Sequence, residues 1–282
     1  MSEKLHKILA RNGYGSRREM ERWIEDGRLL INGKLAKTAD RVEARDRISL
    51  DDNLIELNFD DQQHRILIYN KPEGEICTRD DPEGRKDVFS KLPKLQGSRW
   101  VIVGRLDINT SGLLFFTTDG ELANALMHPS SEIDREYSSR ILGDVDGQVL
   151  QNLEKGVELE DGFARFDSIT DIGGAGANRW YSVVLKEGRK REVRRLWESQ
   201  GLKVSRLMRT RFGPIALTRG LRKGTFRDLD KAEAAALYSA VGMTNKVTGR
   251  QVTSRVDKKP SRSGKPSRSG KPQHSRRSPR KK

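Results

Sequence analysis

A short segment in the middle of the chain combines residue types that could do chemistry. Residues 101–122 read VIVGRLDINTSGLLFFTTDGEL, which predicts a strand, a tight polar loop and a second strand. The loop carries Arg105 and Asp107 and is flanked by Gly104 and Gly112, which allow close approach of the backbone. A loop between two buried strands is a rigid mount for a reactive carboxylate. A lone aspartate there is more often a turn former or a helix cap, so the loop alone leaves both interpretations open.

The elements that position this loop predict an α+β fold. In residues 65–245, strand-like and helical segments interleave irregularly, which is typical of a mixed β-sheet with flanking helices rather than a doubly wound sheet. Thr118 and Glu121 predict a capping box at the start of the helix that follows the loop. A smaller α/β module is predicted over residues 1–60, where two short helices precede a hairpin turn at Asn32-Gly33.

The end of the chain has a different composition. Residues 246–282 hold 14 lysines and arginines against one acid, Asp257, and the hexapeptide SRSGKP occurs twice, at 261–266 and 267–272. A tract of serine, arginine, glycine, lysine and proline cannot bury enough apolar surface to offset its chain entropy. We therefore expect a disordered basic tail.

The positive charge is unevenly distributed. Of the net charge of +15, the tail contributes +13 and the other 245 residues only +2. Within those residues, the segment 181–227 carries 14 basic residues against Glu187, Glu192 and Glu198. One basic segment balanced by acidic surface elsewhere is typical of a protein that grips a polyanion on one face. The alternative is a charge run that serves only solubility.

The N-terminal module gathers basic side chains on and beside its two predicted helices: Lys4, Lys7, Arg11, Arg17, Arg18 and Arg22. The segment LHKILARNGYGSRREMERWIEDGRLLINGK resembles the RNA-binding module of the ribosomal protein S-four type. The resemblance implies that these residues contact phosphates of structured RNA, where shape matters more than base sequence. The alternative is an ordinary basic helical hairpin.

The loop around Asp107 is similar to the catalytic signature of one enzyme family. GRLD at 104–107 is followed by TSGLL at 110–114 and TTDG at 117–120. This order resembles the RNA pseudouridine synthases of the ribosomal small-subunit-synthase group. The resemblance implies that Asp107 is the catalytic carboxylate. It also implies that Arg105 holds the extruded nucleotide or occupies the space that the nucleotide leaves.

Other segments of the same family follow in the expected order. NKPEG, which contains Lys71, matches the start of the catalytic domain, and we expect Lys71 to contact the substrate. REY implies an active-site tyrosine, Tyr137, and LMRTRFG implies that Leu207 lines the base pocket. Tyr137 offers a ring that can stack on the base and a hydroxyl that can transfer a proton. The alternative interpretation is that Tyr137 is an ordinary aromatic residue of the core.

The segment EGRKREVRRL matches the part of the family that supplies a basic partner for the catalytic carboxylate. The resemblance aligns this partner with Arg194, which would keep Asp107 ionised and oriented. Arg191 and Arg195 are expected to contact the substrate nearby. Either of them remains an alternative partner, because the alignment of a run of arginines can shift in register.

The resemblance covers residues 1–240 and implies isomerisation of uridine to pseudouridine in ribosomal RNA. Two segments favour the members of this family that act on large-subunit RNA, namely TRDDPEGRKDVFSKLP and GRKREVRRLWE. The expected target is one uridine near the peptidyl-transferase centre. The reaction moves the base from its nitrogen to its carbon five without a change in redox state. We therefore expect neither a metal nor a cofactor, and the four histidines and Cys77 show no metal-ligand spacing.

Bulk features favour a cytoplasmic protein. No apolar run approaches the roughly 20 residues that span a bilayer, and the start MSEKLHKIL lacks the apolar stretch of a signal peptide. The single cysteine rules out a disulfide within the chain. We expect a monomer whose partner is the precursor of large-subunit ribosomal RNA, with no membrane association.

Two other function classes fit the sequence less well. A non-catalytic RNA-binding or ribosome-assembly protein of the same fold would show an eroded GRLD loop, whereas the loop is intact here. A nucleoside glycosidase would need a second carboxylate near Asp107 to activate water, and no motif supplies one.

Overall fold

The structure is a computed structural model that describes residues 2–59, 63–175 and 178–247. The predicted basic tail lies outside the described residues, apart from Lys246 and Val247. None of the helices in the described part is long and apolar enough to cross a membrane.

The N-terminal module contains two helices and a small antiparallel sheet. Its elements are β1 (Glu3–Lys4), α1 (Leu5–Arg11), α2 (Arg17–Glu25), β2 (Leu29–Ile31), β3 (Lys34–Leu35), β4 (Arg41–Val42), β5 (Ile48–Leu50) and β6 (Asn53–Ile55). The sheet has the order β3-β2-β5-β6, and β1 pairs separately with β4. Helix α2 starts in a capping box, in which the Ser16 hydroxyl accepts from Glu19 N and the Glu19 carboxylate accepts from Ser16 N. Leu5, Ile8 and Met20 lie in the core that the helices share with the sheet.

The larger domain is built on one mixed sheet with helices beside it. Its elements are β7 (Ile66–Lys71), β8 (Val101–Val103), β9 (Ser111–Thr117), α3 (Gly120–Met127), β10 (Arg135–Leu142), α4 (Gly147–Lys155), β11 (Val157–Leu159), β12 (Gly162–Ala164), β13 (Ser168–Ala175), β14 (Asn178–Leu185), α5 (Glu192–Glu198), β15 (Lys203–Phe212), β16 (Ile215–Ala216), β17 (Phe226–Asp228) and α6 (Lys231–Ser239). The sheet order is β13-β14-β10-β15-β9-β7-β17, with β8 on β9 and β16 on β15. Only the pairing of β15 with β9 is parallel among the described strands. This is the mixed α+β architecture that the sequence predicts.

The centre of the sheet is buried on both faces. Every residue of β7 and of β9 is buried, and alternate residues of each strand point to opposite faces. Leu67 and Tyr69 join one apolar cluster, which Trp197 of α5 completes. Ile68 joins a second cluster, on the side of Leu237 in α6. The Asp107 loop leaves this rigid centre between β8 and β9.

Candidate active site

The loop that carries Asp107 is closed by its own backbone and by neighbouring turns. Thr110 N donates to the carbonyl of Asp107 at 3.0 Å, and Gly74 N donates to the carbonyl of Ile108 at 2.7 Å. Gly104, where the loop begins, has a φ of +73°, a conformation that residues with a Cβ rarely adopt. The path of the loop is therefore fixed at its start and at its tip.

Lys71 holds the loop from beneath. Its side chain is fully buried, and its ammonium group donates to the carbonyls of Pro72, Asp107 and Thr110 at 3.1, 3.1 and 2.9 Å. Burial lowers the pKa of Lys71 below its ordinary value. The substrate contact predicted for Lys71 does not fit this placement, because the side chain reaches no surface and its three donors are engaged. The structure instead makes Lys71 a positioning residue for Asp107.

The glycine of the TSGLL segment is required by the sheet. Gly112 has a φ of +106°, and a Cβ added there would lie 2.3 Å from the carbonyl oxygen of Arg209. This close approach occurs where β9 pairs in parallel with β15, with Arg209 opposite Gly112. A larger residue would push the two strands apart directly beside the Asp107 loop.

A cavity of about 880 Å³ opens in front of the loop. It brings together five of the eight side chains predicted to act in catalysis or substrate binding, namely Arg105, Asp107, Tyr137, Arg191 and Leu207. Arg105 is exposed, whereas Tyr137 and Leu207 are only 8% and 4% exposed. The cavity thus has a charged rim and an aromatic and aliphatic wall, which suits a planar base held beside a carboxylate.

Asp107 lines this cavity, and no group of the described residues forms a hydrogen bond or an ion pair with its carboxylate. The hydrogen bonds that Asp107 accepts from them go to its backbone carbonyl. The predicted direct pair with Arg194 is therefore not formed. Arg194 donates instead to the carbonyl of Asn109 at 2.9 Å and to that of Val204 at 2.8 Å. It thus connects α5 and β15 to the loop through the backbone.

Arg194 nevertheless lies within the electrostatic reach of the loop. Its side chain is buried; burial lowers its pKa and the neighbouring charge of Arg191 lowers it further, while the negative charge of Asp107 raises it. Arg194 therefore brings a buried positive charge close to the loop and fixes the loop through the carbonyl of Asn109 at the same time.

Arg191 and Arg195, the other two arginines predicted in this segment, have different surroundings. Arg191 has a φ of +53° at the start of α5, lines the cavity and pairs with Glu198 at 3.0 Å. Arg195 donates to both carboxylate oxygens of Asp161, at 2.7 and 2.8 Å, and does not line the cavity. The predicted substrate contact of Arg195 is thus a structural ion pair with the turn between β11 and β12.

Two buried arginines of the cavity, Arg135 and Arg209, were not predicted as individual site residues, although Arg209 belongs to the basic stretch near 186–223 that is expected to contact phosphates. Arg135 is 9% exposed and Arg209 is 2% exposed. A signal was present, since Arg135 lies two positions before Tyr137 and Arg209 lies two positions after Leu207. Alternate residues of a strand share a face, so both arginines fall on the face of residues already expected in the site.

The basic residues predicted to contact RNA divide into two groups. Lys4, Arg17, Arg18 and Arg22 are exposed on and beside α1 and α2. Lys7 and Arg11 are half-buried and pair with Glu3, and Lys7 also pairs with Glu121 of α3 at 2.8 Å. Lys7 and Arg11 therefore form ion pairs within the protein. The four exposed residues remain candidates for contacts with RNA phosphates.

Glu121 of α3 pairs with Lys7 of the N-terminal module and with Lys246, which follows the larger domain. Its carboxylate accepts from Lys7 at 2.8 Å and from Lys246 at 3.2 Å, and these bonds lower the pKa of Glu121 from 4.5 to about 2. A lowered pKa stabilises the folded state above pH 4.5, and this gain is lost as the pH falls towards 2. The carboxylate is half exposed, so that solvent screens its attraction to the two lysines.

We expect Glu121→Gln to lower the free energy of unfolding by about 0.5–1 kcal/mol at neutral pH. The difference from the wild type should shrink as the pH falls below about 4.5, because the carboxylate of the unfolded chain then takes up a proton while the native carboxylate stays ionised down to about pH 2. Urea unfolding between pH 7 and pH 3 measures this, with exposed Glu158→Gln as the control. A difference that stays constant over this range would show that the two lysine contacts do not stabilise the fold.

Comparison with known families gives two matches along the chain. A model described as RNA pseudouridylate synthase matches residues 65–199, and a model described as S4 domain matches residues 3–48. The order of the two matches is that of the small module and the larger sheet domain, as the sequence resemblances predict.

Three curated proteins of high similarity carry the name ribosomal large subunit pseudouridine synthase B. The protein from Escherichia coli (strain K12) is 54% identical over 253 residues, which cover 89% of this chain and 87% of that protein. The protein from Haemophilus influenzae is 52% identical, with 92% and 73% covered. The protein from Pseudomonas aeruginosa is 56% identical, with 86% and 64% covered.

Among solved structures, one described as the crystal structure of pseudouridylate synthase has a TM-score of 0.58. It is 23% identical and the match covers 83% of this chain and 98% of that one. At this level of identity the similarity shows the fold.

Proposed function

The chain belongs to the RNA pseudouridylate synthase family, and from this premise we propose that it isomerises one uridine of large-subunit ribosomal RNA through the carboxylate of Asp107. It is an isomerase, a ribosomal RNA pseudouridine synthase. The role of Asp107 is supported by its position in the cavity, on a loop that Lys71 and Arg194 hold through backbone carbonyls. No described side chain pairs with its carboxylate. By the same resemblance, the expected target lies near the peptidyl-transferase centre.

The reaction needs a group that can act on the bond between base and ribose. That bond joins nitrogen one of the base to carbon one of the ribose. It breaks, the base turns, and carbon five of the base bonds to the ribose. The hydrogen on carbon five leaves to solvent as a proton, and nitrogen one takes up a proton in its place. A carboxylate can attack the sugar as a nucleophile or assist elimination from it. Asp107 suits both routes, because no described side chain competes for its oxygens.

The target uridine has to leave its stack before it can enter the cavity. Extrusion costs a few kcal/mol, which contacts made by the flipped nucleotide can offset. Tyr137 and Leu207 form the buried wall against which the base would pack. Arg105, exposed at the rim, would hold the nucleotide or occupy the space from which the base came.

The partner that this chemistry requires is ribosomal RNA, and we propose that the N-terminal module contributes to RNA binding. The S4 domain match and the exposed side chains of Lys4, Arg17, Arg18 and Arg22 support this role. We also propose that the protein acts as a cytoplasmic monomer without a metal or cofactor. The tail would add affinity that falls with salt, as for other contacts with phosphates.

Purified protein tests the proposed function directly. Transcripts of large-subunit and small-subunit ribosomal RNA are labelled with tritium at carbon five of their uridines, so that each isomerisation releases one tritium to solvent. We expect release from the large-subunit transcript that reaches a plateau near one tritium per molecule, and none from the small-subunit transcript. Absence of release from the large-subunit transcript would refute the proposal, and release from the small-subunit transcript alone would refute the choice of target.

A further inference from the structure

Two buried arginines lie in the wall of the cavity without carboxylate partners. Arg135 and Arg209 are 9% and 2% exposed, and neither forms an ion pair with any described residue. One guanidinium nitrogen of Arg209, Nη2, is buried without a hydrogen-bond partner. Buried charges are normally paired, because each loses its hydration on folding. An unpaired couple in a cavity therefore indicates a ligand of opposite charge.

The two side chains are held in place by uncharged groups. Arg209 donates through Nε to the carbonyl of Leu113 at 2.7 Å, and Arg135 donates through Nη1 to the carbonyl of Ile133 at 2.8 Å and to that of Lys186. Each guanidinium carbon also lies 5.2 Å from the ring centroid of Phe212. The positive groups are thus fixed without being neutralised.

The register of the sheet brings this couple next to the proposed catalytic residues. In the pairing of β10 with β15, Tyr137 is opposite Arg209 and Arg135 is opposite Phe212. All four line the same cavity as Asp107. An anion held by the two arginines would therefore lie beside the base that packs on Tyr137.

The acidic residues nearby do not neutralise this couple. Glu187 pairs with Arg189, and the buried Glu192 accepts from the backbone N–H of Arg189 at 3.0 Å. Burial lowers the pKa of Arg135, and the positive charge of Arg209 lowers it too, whereas Tyr137, Glu192 and Glu187 oppose these effects. The local field therefore remains favourable to a strong anion with several acceptor oxygens.

We propose that Arg135 and Arg209 form a subsite for one phosphate that flanks the flipped uridine. This inference rests on the proposed function, since the anion next to an extruded nucleotide in RNA is its own phosphodiester. Guanidinium groups match phosphate oxygens with paired N–H donors, which gives direction as well as charge. The subsite would hold the ribose of the target with its reacting carbon in front of Asp107.

The test replaces the phosphate rather than the protein, so that folding of a variant cannot obscure the result. Hairpins that contain the target uridine are made with an uncharged methylphosphonate on its 5′ side or on its 3′ side. Their affinity for the wild-type protein is measured by fluorescence anisotropy. Loss of a charge-assisted contact predicts that one of the two hairpins binds about 10-fold or more weakly than the native hairpin. Equal affinity of all three hairpins would overturn the proposal.

Variants then assign the effect to the couple. In Arg135→Gln and in Arg209→Gln, the difference in affinity between the native hairpin and the sensitive methylphosphonate hairpin should become markedly smaller. The control Arg206→Gln, an exposed arginine of β15, should keep the full difference. An undiminished difference in both cavity variants would also overturn the proposal. Tritium release from the native hairpin reports the proposed function separately, because the affinities do not depend on turnover.

Discussion

Asp107→Asn should lower turnover by about 10³-fold or more, because a positioned carboxylate contributes on this scale to nucleophilic or acid–base catalysis. Asparagine has nearly the same shape, and the loop is fixed through its backbone by Lys71, Thr110 and Arg194. Affinity for ribosomal RNA should therefore remain nearly unchanged. Single-turnover tritium release measures the first effect, and filter binding measures the second.

A matched control lies in the same cavity. Asp167 also lines it, but its carboxylate is 3.5 Å from Arg165 and far from the Asp107 loop in sequence. Asp167→Asn should therefore keep most of the turnover. If Asp107→Asn turned over as fast as the Asp167→Asn control, Asp107 would lose its proposed role.

Lys71→Met should damage both stability and turnover. Methionine has a similar length but cannot donate, so three carbonyls beneath the loop would lose their buried donor. Breaking such an arrangement costs about 3 kcal/mol of unfolding free energy. A shift of the loop by about 1 Å is enough to lower kcat roughly 10²-fold.

The split between kcat and KM distinguishes positioning from substrate contact. Because Lys71 reaches no surface, we expect kcat to fall while KM for RNA stays nearly constant. Urea unfolding and steady-state tritium release give the two readouts, with the exposed Lys155→Met of α4 as control. A raised KM at unchanged kcat would favour the substrate contact that the sequence alone suggests.

The cavity residues were predictable where the sequence carries a local signature. GRLD, REY and LMRTRFG identified Asp107, Tyr137 and Leu207, and the structure places all three in one cavity. The mixed sheet with flanking helices also followed from the irregular order of strand-like and helical segments. These features depend on short-range patterns and on the order of segments.

Features that depend on burial were less predictable. Lys71 and Arg194 are charged residues in sequence, and only the packing shows that they are buried beneath the loop and bonded to backbone carbonyls. Arg195 is next to Arg194, but the rotation of about 100° per helical residue turns it to Asp161 instead. Two consecutive helical residues thus have different roles: Arg194 holds the Asp107 loop, and Arg195 forms an ion pair with Asp161.

The cap of α3 shows the same limit at a single position. The sequence predicts a capping box at Thr118, whereas the structure uses Asp119, whose carboxylate accepts from Glu121 N at 2.8 Å and Leu122 N at 3.1 Å. The hydroxyl of Thr118 instead accepts from the backbone N–H of Arg65 at 3.0 Å, just before β7. Two neighbouring residues can both cap, and a contact 53 residues away along the chain decides between them.

The most direct test of Asp107 as the carboxylate of a ribosomal RNA isomerase is a pseudouridine map from living cells. Large-subunit ribosomal RNA is mapped by carbodiimide-dependent reverse-transcription stops in cells that lack this protein and in cells that regain either the wild type or Asp107→Asn. We predict that one stop disappears with the protein, returns with the wild type and stays absent with an equal amount of Asp107→Asn. A map that is unchanged without the protein, or that Asp107→Asn restores, would contradict this account.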